Sequence, residues 1–283
     1  SMERIGNVWR SGNSGATWTK SKTPLGNYLE WKCYASSDDG SKLAAGFYQG
    51  NVITSDDFGR TWVESTFVTA ERDLIRECAL KFTQDNTLLL VTSSSLYSST
   101  SLKNGASAAS WTKISNLPTG NGDIAGIAAS ADGVTIAFIR STGWSPADYT
   151  GLIGVSHDSG KTWKSTTPDN TIRWRSITMS QNGARLAVCG WGGNIWRSTN
   201  SGDTWTEVTS TGQHKSWNYI TSSSNGMILA ASEYKHVWRS VDYGLSWIRG
   251  NEIRGDRIIS ITSFQKENAM ILTAIAQLTV TVG

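Results

Sequence analysis

One eight-residue phrase, Ser-x-Asp-x-Gly-x-Thr-Trp, recurs along this chain within two substitutions: Ser11 to Trp18, Ser55 to Trp62, Ser156 to Trp163, Ser198 to Trp205 and Ser240 to Trp247. A sixth stretch, Ser98 to Trp111, keeps the leading Ser and the closing Trp but is swollen and has lost the Asp. The closing tryptophans are therefore spaced 42 to 52 residues apart, the interval of a four-stranded blade. In each copy the Asp (Asp57, Asp158, Asp242) can accept hydrogen bonds from its own turn, Asn13 and Asn200 can do so uncharged, and the Gly supplies a backbone angle that side chains forbid. The phrase thus reads as a hairpin between two strands, and its Trp as a ring wedged against the neighbouring blade.

Between one Trp and the next the pattern repeats. From Ile172 to Val208 a first strand "IRWRSITMS" is followed by the tight turn Asn182-Gly183, a second strand "ARLAVCGW", a third "NIWRST", the repeated phrase and a fourth strand. Second strands such as "TLLLVT" and "TIAFI" are nearly all apolar, as strands covered on both faces are. Complete units start near Tyr28, Leu74, Ile124, Ile172 and Trp217. A third and fourth strand with nothing before them open the chain, and a first and second strand close it. Sharing them predicts a six-bladed, all-β propeller of four-stranded antiparallel blades, the last blade closed by N- and C-terminal strands. Residues 277 to 282 also read as a third strand and compete with the N-terminal one. The chain is expected to be a single domain over residues 3–283, with Ser1-Met2 a cloning remnant.

The phrase and its spacing resemble the Asp-box, or BNR, repeat of sialidase-like propellers and of photosystem II assembly factor-like propellers. That resemblance covers nearly the whole chain and implies the fold. It also implies that the Asp boxes lie away from the ligand face. Families with this repeat include hydrolases, receptors, lectins and assembly factors, so it leaves activity open.

Composition excludes more than it assigns. A net charge of +3 with 17% charged residues gives no footprint for nucleic acid or a membrane surface, and no apolar run reaches a membrane span. Cys33, Cys78 and Cys189 each sit in an apolar run and read as small buried thiols rather than as a disulfide or metal ligands. The three histidines lack metal-ligand spacing, and no cofactor or metal is expected. The chain is expected to be a monomer.

The face opposite the Asp boxes gathers aromatics blade after blade. Its second-to-third loops carry Tyr48, Trp144, Tyr149, Trp191 and Tyr234, which read as ligand contacts; Trp31, Trp174 and Trp217 at first-strand starts read equally as packing or contact. Arg72, Arg140 and Arg173, from three successive blades, form the best anion-binding set. These eleven residues are the candidate ligand-binding site, for a glycan or a protein segment and without catalysis. Two alternatives remain. A sialidase-like glycoside hydrolase would use carboxylates such as Asp123, Asp148, Asp169 or Glu233, although the Arg-Ile-Pro segment of sialidases is absent. A scaffold resembling the photosystem II assembly propellers would grip a protein through arginines.

Overall fold

The computed structural model describes residues 8–12, 16–24, 31–47, 52–65, 79–102, 108–143, 145–212, 215–253, 257–266 and 269–277, the last two stretches by backbone alone. The chain forms two compact units, residues 1–115 and 116–283. The division falls at a blade boundary, where a repeat array has fewest contacts.

In the first unit β1 (Trp9–Arg10) pairs with β2 (Thr19–Lys20). Blade 1 is β3 (Trp31–Ser36), β4 (Leu43–Phe47), β5 (Val52–Ser55) and β6 (Val63–Ser65); blade 2 is β7 (Ala79–Phe82), β8 (Leu88–Val91), β9 (Leu96–Ser99) and β10 (Thr112–Ile114). In the second unit blade 3 is β11 (Asp123–Ala129), β12 (Ile136–Thr142), β13 (Thr150–Ser156) and β14 (Lys164–Ser165). Blade 4 is β15 (Arg173–Met179), β16 (Leu186–Trp191), β17 (Ile195–Ser198) and β18 (Thr206–Val208). Blade 5 is β19 (Trp217–Ser222), β20 (Leu229–Glu233), β21 (His236–Ser240) and β22 (Ile248–Glu252), and β23 (Arg257–Lys266) pairs with β24 (Ala269–Gln277). Every ladder is antiparallel and every blade keeps sequence order. Gln277 thus ends a second strand, and the remainder of the competing third-strand candidate lies outside the described residues.

Second strands are the middles of the blades: β8 is buried at all four positions, and β12 and β16 nearly so. Apolar clusters then join successive blades. Ile139 and Ile153 of blade 3 pack with Trp174, Ile177 and Val188 of blade 4, and Ala187 and Cys189 of blade 4 pack with Trp217, Ile220 and Leu229 of blade 5. In the second unit the first strands β11, β15, β19 and β23 lie against one another in series. Cys189 is a fully buried free thiol, as expected. Cys33 is disulfide-bonded, which corrects the reading of three thiols; its partner lies outside the described residues. Apolar surroundings suit a half-cystine as well as a thiol, so the sequence context could not separate them.

The repeated phrase is one hydrogen-bonded device. In blade 3 the buried Ser156 Oγ donates to Asp158 Oδ1 (2.8 Å) and accepts from Gly160 N (2.9 Å), while Asp158 Oδ1 accepts from Thr162 N (2.8 Å). The same three bonds recur at Ser55, Ser198 and Ser240, with Asn200 serving in place of Asp. Ser159 and Gly160 both adopt positive φ, 59° and 85°, which is why the fifth position is glycine. The tryptophan depends on the copy. Trp62, Trp163 and Trp247 turn back to donate to the glycine carbonyl of their own box (3.2, 3.0 and 3.1 Å), and Trp205 reaches Thr166 Oγ1 of the preceding blade (3.1 Å). The expected wedge between blades therefore holds for Trp205 and for Trp247, which is buried in the cluster joining blades 4 and 5, whereas Trp18 is 60% exposed.

The box carboxylates are poor bases. Hydrogen bonds from Thr61, Thr162 and Ser246, side chain first and backbone second, hold Asp57, Asp158 and Asp242 down to about 2. The folded state thus binds protons at these groups more weakly than the unfolded chain does. Their contribution to stability is complete above the ordinary carboxylate value of 3.8 and is lost as pH falls toward about 2. Thermal melts between pH 5 and 2 are expected to show a steep fall in the parent and a shallower one in an Asp57→Asn, Asp158→Asn, Asp242→Asn variant, since Asn200 already makes the bonds uncharged. Identical profiles would show that these carboxylates do not drive acid unfolding.

Candidate functional site

Five first strands carry an irregularity near the end away from the Asp boxes; β7 of blade 2 pairs without one over its described residues. Pairing with the second strand slips between Trp31 and Cys33, Ile124 and Gly126, Trp174 and Ser176, Trp217 and Tyr219, and Ile258 and Ser260. The extra residues are Lys32, Ala125, Arg175, Asn218 and Ile259. A bulge re-aims the side chain it inserts and increases local twist. The residue before each bulge is apolar, and in blades 4 and 5 it is a fully buried tryptophan, Trp174 or Trp217. Alternation and bulge together make one position an anchor and the next a variable group.

In blades 4 and 5 the variable groups converge on one ring. Trp191 ends β16 directly opposite Arg173, the first residue of β15. The guanidinium carbons of Arg173 and Arg175 lie 5.1 and 5.0 Å from its ring centroid, a cation–π distance for both. Its indole N–H donates to Asn218 Oδ1 of blade 5 (3.0 Å). Trp191, Arg173, Arg175 and Asn218 are all half-buried, so the cluster is ordered and still reaches solvent. The charge of Arg175 is felt in the core: burial pushes the Cys189 thiol far up, and Arg175 partly offsets this. Beside the cluster a bridge between Gly193 and Lys215 ties the two blades. Lys215 Nζ lies 3.5 Å from Glu233 Oε1 and 5.1 Å from the Trp238 ring, and Glu233 Oε2 accepts from Trp238 Nε1 (3.1 Å).

The other predicted residues divide. Trp174 and Trp217 have no exposed surface, so their ligand-contact reading is corrected: Trp174 belongs to the core joining blades 3 and 4, and Trp217 meets Trp238 edge-on at 5.9 Å. Trp31 is half-buried and packs edge-on against Phe47 at 5.8 Å in the first unit. Arg140 sends Nη1 to the Gly122 carbonyl (3.3 Å). Tyr149 lies against Gly192 of blade 4, and Tyr234 is 59% exposed at φ 50°, with Lys235 Nζ 5.7 Å from its ring. Tyr48, Arg72 and Trp144 lie outside the described residues. Three of the four carboxylates of the hydrolase alternative are engaged locally, and the fourth, Asp123, is exposed at the start of β11. Asp169 accepts from Thr171, Asp148 from Ser145 Oγ, and Glu233 from Trp238. Arg175 and Asn218 escaped the sequence reading because a bulge sets their direction; their place just after the repeated Trp174 and Trp217 was the available signal. Among the described residues no group of three His, Cys, Asp or Glu is placed to hold a metal ion.

No protein-family model and no curated protein matches the chain. Solved structures do. A GH74 xyloglucanase from Xanthomonas campestris superposes with a TM-score of 0.60 at 19% identity over 87% of this chain, which spans 42% of that protein's length. YCF48 from Cyanidioschyzon merolae gives a TM-score of 0.67 at 16% identity, covering 92% of this chain and 83% of that one. YCF48 bound to a D1 peptide gives 0.60 at 16% identity, covering 86% and 75%. The fold is a β-propeller.

At these identities the likeness carries the architecture and nothing of the chemistry. Within this propeller the buried anchors are separable from the exposed groups by mutation. Trp217→Ala removes a ring with no exposed surface and is expected to cost about 3–5 kcal/mol in chemical denaturation. Tyr234→Ala, at an exposed ring, should change stability by less than about 0.5 kcal/mol. Equal costs would show that the anchor assignment is wrong.

Proposed function

We propose that this propeller is a non-catalytic binding module, and that its site is the face away from the Asp boxes, centred on Trp191. The observation that carries this reading is the convergence of Arg173, Arg175 and Asn218 on one half-exposed indole. Two guanidinium groups held against a ring are pre-organised, so little rotamer entropy is lost when a carboxylate docks between them. The ring supplies the apolar contact and Asn218 fixes its orientation. A ligand of this chemistry is an extended segment bearing a carboxylate, a protein tail first and an acidic glycan second. YCF48 bound to a D1 peptide offers a precedent on the same architecture for a peptide ligand. The local engagement of Asp148, Asp169 and Glu233 supports binding over hydrolysis, because those carboxylates already serve turns and an ion pair.

The test is a peptide array with free and amidated C-termini run beside an acidic glycan array. Trp191→Ala and Arg175→Ala should each weaken the hits by about 1–3 kcal/mol, the usual range for interface anchors. Asp158→Asn, on the Asp-box face, should leave affinity unchanged. Unchanged affinity in both Trp191→Ala and Arg175→Ala would place the site elsewhere. Glycoside hydrolysis by the parent that Glu233→Gln abolishes would replace this reading with the hydrolase one.

A further inference from the structure

A cavity of about 610 Å³ opens in the second unit and shares no residue with the Trp191 cluster. It lies between blades 3 and 4, and its lining includes Asn121, Thr150, Thr167, Asp169, Asn170 and Trp196. That volume is within the ~300–1,000 Å³ typical of small-ligand sites. Its wall is a built feature. The connection from β14 to β15 is drawn against the start of β13 by Gly151 N donating to the Asn170 carbonyl (2.9 Å) and Ile153 N donating to Thr167 Oγ1 (2.8 Å). A Cβ on Gly151 would come within 2.3 Å of both the Ile172 carbonyl oxygen and the Trp174 indole, so only glycine lets that connection close.

The lining chemistry is specific. Asp169 Oδ1 accepts from Thr171 N and Oγ1 (2.8 and 2.6 Å), and its other oxygen has no protein donor among the described residues. The Trp196 indole N–H is a buried donor without a protein acceptor among the described residues. Asn121, Thr150 and Asn170 are exposed, and their side chains offer both donors and acceptors. Asp169 is the charged residue of the lining, and the adjacent Arg140, packed against Gly120, sends Nη1 to the Gly122 carbonyl, so the cavity wall itself offers an anion no Lys or Arg among the described residues. An apolar ligand would leave these polar groups unpaired. The chemistry that fits is a neutral molecule covered in hydroxyl groups with one apolar face to lay on an indole.

We infer that this cavity is a binding site for a neutral sugar unit of a polysaccharide, with Trp196 as the platform and Asp169, Asn121 and Asn170 as the hydroxyl partners. The site stands independently of the carboxylate reading of Trp191. Isothermal titration calorimetry on the full chain with three β-1,4-linked tetrasaccharides, of glucose, xylose and mannose, tests it. At least one should bind saturably. Thr150→Trp, which fills the mouth from an exposed position, and Asn170→Ala, which removes an exposed amide, should each weaken that binding about tenfold or more with the melting temperature unchanged. Trp191→Ala should leave it unaltered. Should Thr150→Trp melt early, Asn170→Ala alone decides. Saturable binding of none of the three sugars, binding that survives Asn170→Ala, or binding lost instead in Trp191→Ala would each overturn the inference.

Discussion

The blade depends on a buried serine hydroxyl that donates one hydrogen bond and accepts another. Ser55, Ser156, Ser198 and Ser240 each donate to the box carboxylate or amide and accept from the glycine amide, with almost no exposed surface. A buried hydroxyl without partners would be costly, so the loop must take the one conformation that satisfies it. That conformation fixes where the third strand stops and the fourth starts, and with them the register of the hairpin. A second relay of the same kind closes the first-to-second turn, where Ser180 Oγ donates to Asn182 and accepts from Arg185 N. Both relays sit at one end of the blade. Among the described residues the opposite end has no relay that recurs from blade to blade, Thr92 Oγ1 with Ser95 in blade 2 being a single instance, so its residues can differ between blades.

Those differences are readable once equivalent positions are aligned. The residue before the first-strand bulge is Trp31, Ile124, Trp174, Trp217 or Ile258, always apolar; the bulged residue is Lys32, Ala125, Arg175, Asn218 or Ile259, chemically unrelated. Packing explains Trp31, Ile124, Trp174 and Trp217 and cannot explain Arg175 or Asn218. Polarity at the bulge is concentrated in blades 4 and 5 of the second unit, where Arg175 and Asn218 both address Trp191. The flanking blade 3 and strand β23 carry Ala125 and Ile259 at that position. Within the second unit, a repeat that breaks its own pattern with groups that touch each other supports the proposed site better than a uniform ring of aromatics does.

The sequence was most informative where local chemistry dictates local structure. Box positions, the Asn-Gly and Asp-Gly turns, strand order within blades and the apolar second strands were all legible, because each rests on residues a few positions apart. The exposed aromatic Tyr234 and the half-exposed Trp191 were legible as loop-end residues. Trp174 and Trp217 were not separable from them by composition, since an indole at a strand start is equally suited to solvent or core; burial is decided by the neighbouring blade, about 40 or more residues away at the blade period. Arg175 and Asn218 were missed for a sharper reason. With a side-chain period of two, a single inserted residue redirects the side chains beyond it, and no residue type announces the insertion. Cys33 illustrates the same limit, because pairing depends on a distant partner and not on its own apolar strand.

The two candidate sites lie on opposite sides of blade 4 and differ in chemistry: the Trp191 cluster reaches blade 5, and the cavity faces blade 3. At the first strand of blade 4 the groups are cationic and aromatic, and Arg173 and Arg175 can hold charge there because Trp191 shields one side while water reaches the other. Beside the third strand the groups are neutral or acidic, and the indole is Trp196. Both indoles belong to blade 4, at the end of β16 and within β17. The short "GWGGN" segment that joins those strands places them on either side of a bend closed by the Gly193 bridge to Lys215. A ligand carrying both a carboxylate and neutral hydroxyl-rich units would have to span blade 4 to engage both, so the two sites act on one chain only where the linker between those units reaches that far.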